Sequence, residues 1–190
     1  MAVREALARC HGGVVTPQQP PKGEHQANGV AEEAGRTIRD HARVLKINLQ
    51  AKVGRKIEPD EPIMPWLIRW AAMALSRYSR GKDGKTPYQR QIGRSCDIEV
   101  VPFGEIVLYR LPEVARDRHQ ALEERWVKGI WLGHARNSPE HMIGTSEGVR
   151  KVFAVRRLAE GEQWNGDMIK SIKGSPKEWE LDAGEEPQML

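Results

Sequence analysis

Cysteine is almost missing from this sequence: Cys10 and Cys96 are the only two in 190 residues. They stand far apart and no export leader precedes them, so neither a disulfide framework nor secretion is supported and an intracellular location is expected. Long apolar runs are missing too. The most apolar stretch, 63–75, falls short of the roughly 20 residues needed to cross a bilayer and contains Arg69; it reads as a buried helix, and no membrane partner is expected. Hydrophobic residues make up 39% of the chain, enough for one ordinary domain or two small ones but not for a large core. Aspartate is absent before Asp40.

What is present is charge, unevenly spread. The formal net charge is +4, yet Arg36, Arg39, Arg43, Lys46, Lys52, Arg55 and Lys56 crowd one stretch, while Glu160, Glu162, Glu178, Glu180, Glu185 and Glu186 load the end. A basic region beside an acidic tail points to a polyanionic partner. A solvated helix face is the plainer alternative.

The chain changes character along its length. Residues 1–10 have a helical pattern, which Gly12, Gly13 and the prolines between Pro17 and Pro21 end. From Asn28, a candidate N-cap, to about Gln50, the apolar positions Ala31, Ala34, Ile38, Ala42, Leu45 and Leu49 recur every three or four residues and predict one amphipathic helix. Gly54 and Pro59 end it. A second helix is predicted over 65–78, with Trp66, Leu67, Trp70, Ala71, Ala74, Leu75 and Tyr78 on a broad apolar face. Helical spacing makes those tryptophans core rather than a platform for nucleobases. After the turn at 81–87, short β-rich runs predict strands near 103–111, 126–133, 141–144 and 149–158. So many short strands in so few residues indicate a small barrel, with Trp126, Ile130, Leu132 and Phe153 as its expected core. From Ala159 onward the sequence is polar and acidic, and disorder is expected there.

Three motif matches fail on context. Gly144, Ser146 and Gly148 fit the G-x-S-x-G nucleophile elbow, which needs a strand before it and a helix after it; 149–155 reads as a strand, so a hairpin turn is expected. Gly81, Gly84, Lys85 and Thr86 approach a phosphate-binding loop, but the first glycine lies too close to the Gly-Lys-Thr, leaving a polar turn. Cys10 and His11 lack a second pair at zinc-ligand spacing.

The informative set lies on the first long helix. Glu32, Arg36, Arg39, Arg43 and Lys46 are spaced four, three, four and three, so they line one stripe a step round from the apolar row. Such a stripe suits a divalent ion held at the helix start while arginines grip the phosphates of an entering strand. It also suits a solvated face with a Glu32 to Arg36 pair worth about 0.3–0.5 kcal/mol, and spacing alone favours this second reading.

The segment 23–32, with Gly23, His25, Asn28, Gly29 and Glu32, resembles the stretch that carries the last acidic residue of the integrase catalytic core in retroviruses and Ty1/copia-type retrotransposons. Further blocks agree in order: Pro65-Trp66-Leu67 with Arg77, Gly84-Lys85-Thr86-Pro87-Tyr88, Phe103-Gly104, Lys128-Gly129-Ile130-Trp131-Leu132-Gly133 and Val155-Arg156-Arg157. The resemblance covers roughly 1–164, and its specificity lies in the order and spacing of the blocks.

What this resemblance implies is an α+β chain: a truncated ribonuclease-H-like core, kept as a helical remnant over 1–94, then a small SH3-like β barrel over 95–164 and an acidic disordered tail over 165–190. In that family two aspartates and a glutamate hold two divalent ions for an in-line displacement at a phosphodiester. Glu32 matches the glutamate, as catalytic residue and, only if the missing aspartates are supplied, as ligand of Mg²⁺ or Mn²⁺. The family's spacing would put the second aspartate just before Met1, so the chain is expected to lack both aspartates and to be inactive alone. Asn28, Arg36, Arg39, Arg43 and Lys46 are the expected nucleic-acid contacts. DNA is the expected partner, together with other integrase copies, and a functional protein would act in the nucleus. Two other readings stand beside this one: a non-enzymatic module for a protein or chromatin partner, and a decayed relic.

Overall fold

A computed structural model describes residues 29–110, 125–136 and 138–178. Backbone contacts divide the chain into two compact units, Met1–Thr37 and Ile38–Leu190. Helix α1, Gly29–Val53, begins in the first and runs into the second. Glu32 in its first turn and Lys52 in its last complement the helix dipole, and Gly54, at φ 68°, ends it in the left-handed region that favours glycine.

In the first unit the described part of α1 is mostly exposed, and its hydrogen bonding is local: the Thr37 hydroxyl donates to the Glu33 carbonyl at 2.9 Å. In the second unit the same helix buries Leu49 and half-buries Ala42 and Leu45. Helix α2, Ile63–Tyr78, buries Trp66, Leu67, Trp70 and Ala71, as its apolar spacing predicts, and Ile63 besides, while Ala74, Leu75 and Tyr78 of the predicted face are half-buried. Helix α3, Pro87–Ile92, opens with a reciprocal capping box between Thr86 and Gln89 and closes at Gly93, φ 85°. The turn that approaches a phosphate-binding loop in sequence is therefore the polar lead-in to a cap. Among the described residues no helix is long and apolar enough to cross a membrane.

Five strands follow: β1 Ile106–Arg110, β2 Trp126–His134, β3 His141–Gly144, β4 Val149–Val152 and β5 Val155–Arg157. They form one antiparallel sheet in the order β4-β3-β2-β1-β5. The fold is thus mixed α+β. The register slips between Trp131 and Gly133, where Gly133 has φ 116° and a Cβ would lie 2.7 Å from the Trp70 ring. Only glycine fits there. The β3–β4 connection is a hairpin, with the Thr145 amide bonded to the Gly148 carbonyl at 2.9 Å; the G-x-S-x-G match is this turn.

One hydrophobic cluster takes residues from both sides of position 94: Leu49, Trp66 and Trp70 with Phe103, Trp131 and Ile143. Ile130 and Leu132 are buried as expected, but Phe153 is 75% exposed. It sits in the two-residue link where the chain turns from β4 into β5, and that turn splits the predicted strand at 149–158 and carries the ring outward. Trp126 is only half-buried.

The expected disorder also gives way at 165–178. Helix α4, Gly166–Lys170, is capped by the Asn165 side chain, which accepts from the amides of Asp167 and Met168. Ile169 and Ile172 are fully buried. The indole of Trp66 donates to the Gly174 carbonyl at 3.0 Å, and Arg55 Nη2 to the Gly166 carbonyl at 2.8 Å. Two isoleucines in a polar run suffice once a prepared surface receives them: a Cβ on Gly144 would lie 3.2 Å from Ile172.

Two histidines complete the interior. His134 Nε2 lies 2.9 Å from the Glu99 carbonyl, and His141 Nδ1 accepts from the Trp131 indole at 3.1 Å. Their rings are 5.2 Å apart. Burial pushes both down, His134 to about 4, so both are neutral spacers of the core at neutral pH.

Candidate nucleic-acid interface

A phosphate-binding surface needs cations that the core has not consumed. On α1, within the second unit, Arg39 and Arg43 are exposed and Lys46 is half-buried. Arg43 Nη1 is 2.8 Å from Asp40 Oδ1, an exposed pair three residues apart. Such pairs contribute about 0–1 kcal/mol, so the guanidinium is easily surrendered to a stronger acceptor. Helical spacing of three and four keeps these cations on one side.

In the first unit Glu32 and Arg36 are exposed. Arg36 leans on Glu33, at 4.0 Å, and this is the ion pair found in place of the Glu32 to Arg36 pair considered from spacing. Asn28 lies outside the described residues. Among the described residues no three histidine, cysteine, aspartate or glutamate side chains converge as a metal would require. A centre for two divalent ions takes several carboxylates, and the described residues bring no such set together around Glu32.

The sheet supplies a second basic surface that sequence spacing does not single out. Leu108 is the cross-strand partner of both Lys128 and Arg156, and Arg110 that of Trp126, so these five share one face across β5, β1 and β2. Arg110, Lys128 and Arg156 are exposed. The Arg156 guanidinium lies 4.3 Å from the centre of the Trp126 ring, a cation–π contact that explains why this tryptophan stays half-buried. Lys128 reaches Glu162 at 3.8 Å.

The neighbouring arginine has another task. Arg157 meets Glu105 through two parallel hydrogen bonds of 2.7 and 2.9 Å. Glu105 is completely buried, and its carboxylate raises the guanidinium's affinity for its proton. Alternation along β5 therefore separates an arginine open to a ligand from one that neutralises the interior. That period-two pattern was available in Val155-Arg156-Arg157, but the partner ring at Trp126 is defined only by strand register.

Fold and surface together define a mixed α+β protein with two exposed cationic faces, one helical and one on a sheet. No protein-family model matches the chain, and no curated protein matches it.

Proposed function

We propose that this chain binds DNA with little sequence preference, as the DNA-contacting part of a retrotransposon-type integrase, and that it does not catalyse alone. The observation that carries the reading is the row Arg39, Arg43 and Lys46, which helical spacing aligns and the core leaves accessible. Guanidinium and ammonium groups on a helix face bind phosphate oxygens without reading bases. The patch of Arg156 on Trp126, with Lys128 beside it, adds a flat ring and two cations suited to a sugar-phosphate backbone or an unstacked base.

The sheet order supports the finer reading of the fold as well. A four-strand meander whose fifth strand returns beside the first, two residues after the fourth ends, is the arrangement expected of a small SH3-like barrel. The ribonuclease-H-like origin of α1 rests on the resemblance of the segment around Glu32, and Glu32 is assigned the role of third carboxylate on that basis alone.

The test is fluorescence anisotropy with a labelled duplex across a salt series. The logarithm of affinity should fall against the logarithm of salt with a slope of about −0.9 for each phosphate neutralised. Arg39→Glu with Arg43→Glu should weaken binding and flatten that slope. An affinity indifferent to salt, or untouched by the double substitution, would count for the module that binds a protein partner.

A further inference from the structure

Arg77, in the last turn of α2, is only 7% exposed, yet no carboxylate meets it among the described residues. Its Nη2 donates to the carbonyls of Ala135 and Arg136, at 3.0 and 3.1 Å, and its guanidinium carbon lies 5.9 Å from the centre of the Tyr88 ring. Nη1 has no acceptor among the described residues. A guanidinium held away from water is disfavoured unless an anion answers its charge.

Arg77 forms part of the wall of a groove of about 650 Å³, a size suited to a small ligand. Arg94 and Arg136 line the same groove from exposed positions, and neither is ion-paired among the described residues. Asp97 is the one carboxylate on the described wall, so positive charge is in excess. Ser95 and Ser138 add hydroxyls, and Tyr88 and Ile92 an apolar flank.

We propose that this groove is a binding site for a phosphomonoester, with the phosphoryl head among Arg77, Arg94 and Arg136 and an apolar or planar body against Tyr88 and Ile92. Three guanidiniums suit a head with three terminal oxygens and close to two negative charges better than a carboxylate with one. The two carbonyls that hold Arg77 fix its charge at the groove wall before the ligand arrives, and Arg94 and Arg136 close on the phosphoryl head from exposed positions. The site uses none of the α1 cations, and it stands whether or not the chain binds DNA.

The experiment is calorimetric titration of the full chain with a nucleoside monophosphate, with inorganic phosphate as competitor. Saturable binding to one site is expected, displaced by phosphate and weakened about tenfold or more by Arg94→Gln with Arg136→Gln, since two charge-assisted contacts are lost. Those arginines are exposed, so the substituted chain should keep its fold, which circular dichroism checks. Arg39→Glu with Arg43→Glu should leave this binding unchanged. Cys96 lines the groove, so in a Cys10→Ser background the bound monophosphate should slow its reaction with a thiol reagent. Absence of saturable binding at millimolar ligand, binding that survives the Arg94 and Arg136 substitutions, or unchanged Cys96 reactivity overturns the proposal.

Discussion

The indoles of Trp70 and Trp131 meet edge to face, with centroids 4.8 Å apart and planes at 80°, and this contact ties α2 to β2. Trp70 also lies against the bare backbone of Gly133. The helix therefore supplies part of the sheet's core. Trp70→Ala should lower stability by about 3–5 kcal/mol, read by urea denaturation. An excised segment 95–164 loses that partner and also Trp66 and Leu49, so it should show no cooperative transition, whereas 38–178 should show one. A sharp transition in the shorter segment would reverse this assignment.

The buried tail segment gives a second prediction. Ile169 is wholly enclosed, and Ile169→Ala should cost about 2–5 kcal/mol, the usual range for deleting a buried aliphatic side chain. Were 165–178 dispensable, the substitution would leave the denaturation midpoint where it was.

What could be read in the sequence follows from how local the determining interactions are. Helices α1 and α2 are set by apolar spacing of three and four within one segment, and their predicted limits fall within a few residues of those found. The strands are set by runs of valine, isoleucine and tryptophan between turn residues, and they too were legible. Docking of Ile169 and Ile172 was not, because two isoleucines in a polar run look like coil until Gly144 is seen to receive Ile172 and Trp66 to hold the Gly174 carbonyl just beyond. The Arg156 to Trp126 stack stayed hidden for a related reason: it joins β5 to β2 across β1. The row Arg39, Arg43 and Lys46 needed only helical periodicity.

Acid should unfold the protein through its buried histidines. Burial holds His134 at about 4, against 6.5 for an ordinary histidine; the hydrogen bond to the Glu99 carbonyl offsets part of this, and the charges of His141 and Arg77 oppose protonation further. Above pH 6.5 neither state binds the proton and stability is complete. As pH falls through 6.5 the unfolded chain takes it up first, so stability drops until about pH 4, by about 3 kcal/mol in all. His141, also pushed down by burial, adds to the same trend. His134→Gln should flatten part of this slope in denaturation midpoints measured from pH 4 to 7. A wild-type midpoint constant over that window would exclude the mechanism.

Adjacent arginines on β5 should separate binding from stability. Arg156 rests on Trp126 at the exposed face, where its removal uncovers a ring but leaves no buried charge unpaired. Arg157 holds both oxygens of Glu105, a carboxylate with no exposure to water. Arg157→Ala strips a buried anion of its partner and should destabilise the fold by about 1–3 kcal/mol; Glu105→Gln with Arg157→Ala should recover part of that loss, because a neutral amide is cheaper to bury than a carboxylate. Arg156→Ala should leave the denaturation midpoint nearly unchanged while weakening DNA binding and reducing the salt slope by about one phosphate. Measuring both substitutions by urea denaturation and by anisotropy decides the matter. If Arg157→Ala alone weakens DNA binding at full stability, or Arg156→Ala unfolds the chain, the two roles have been assigned to the wrong neighbours.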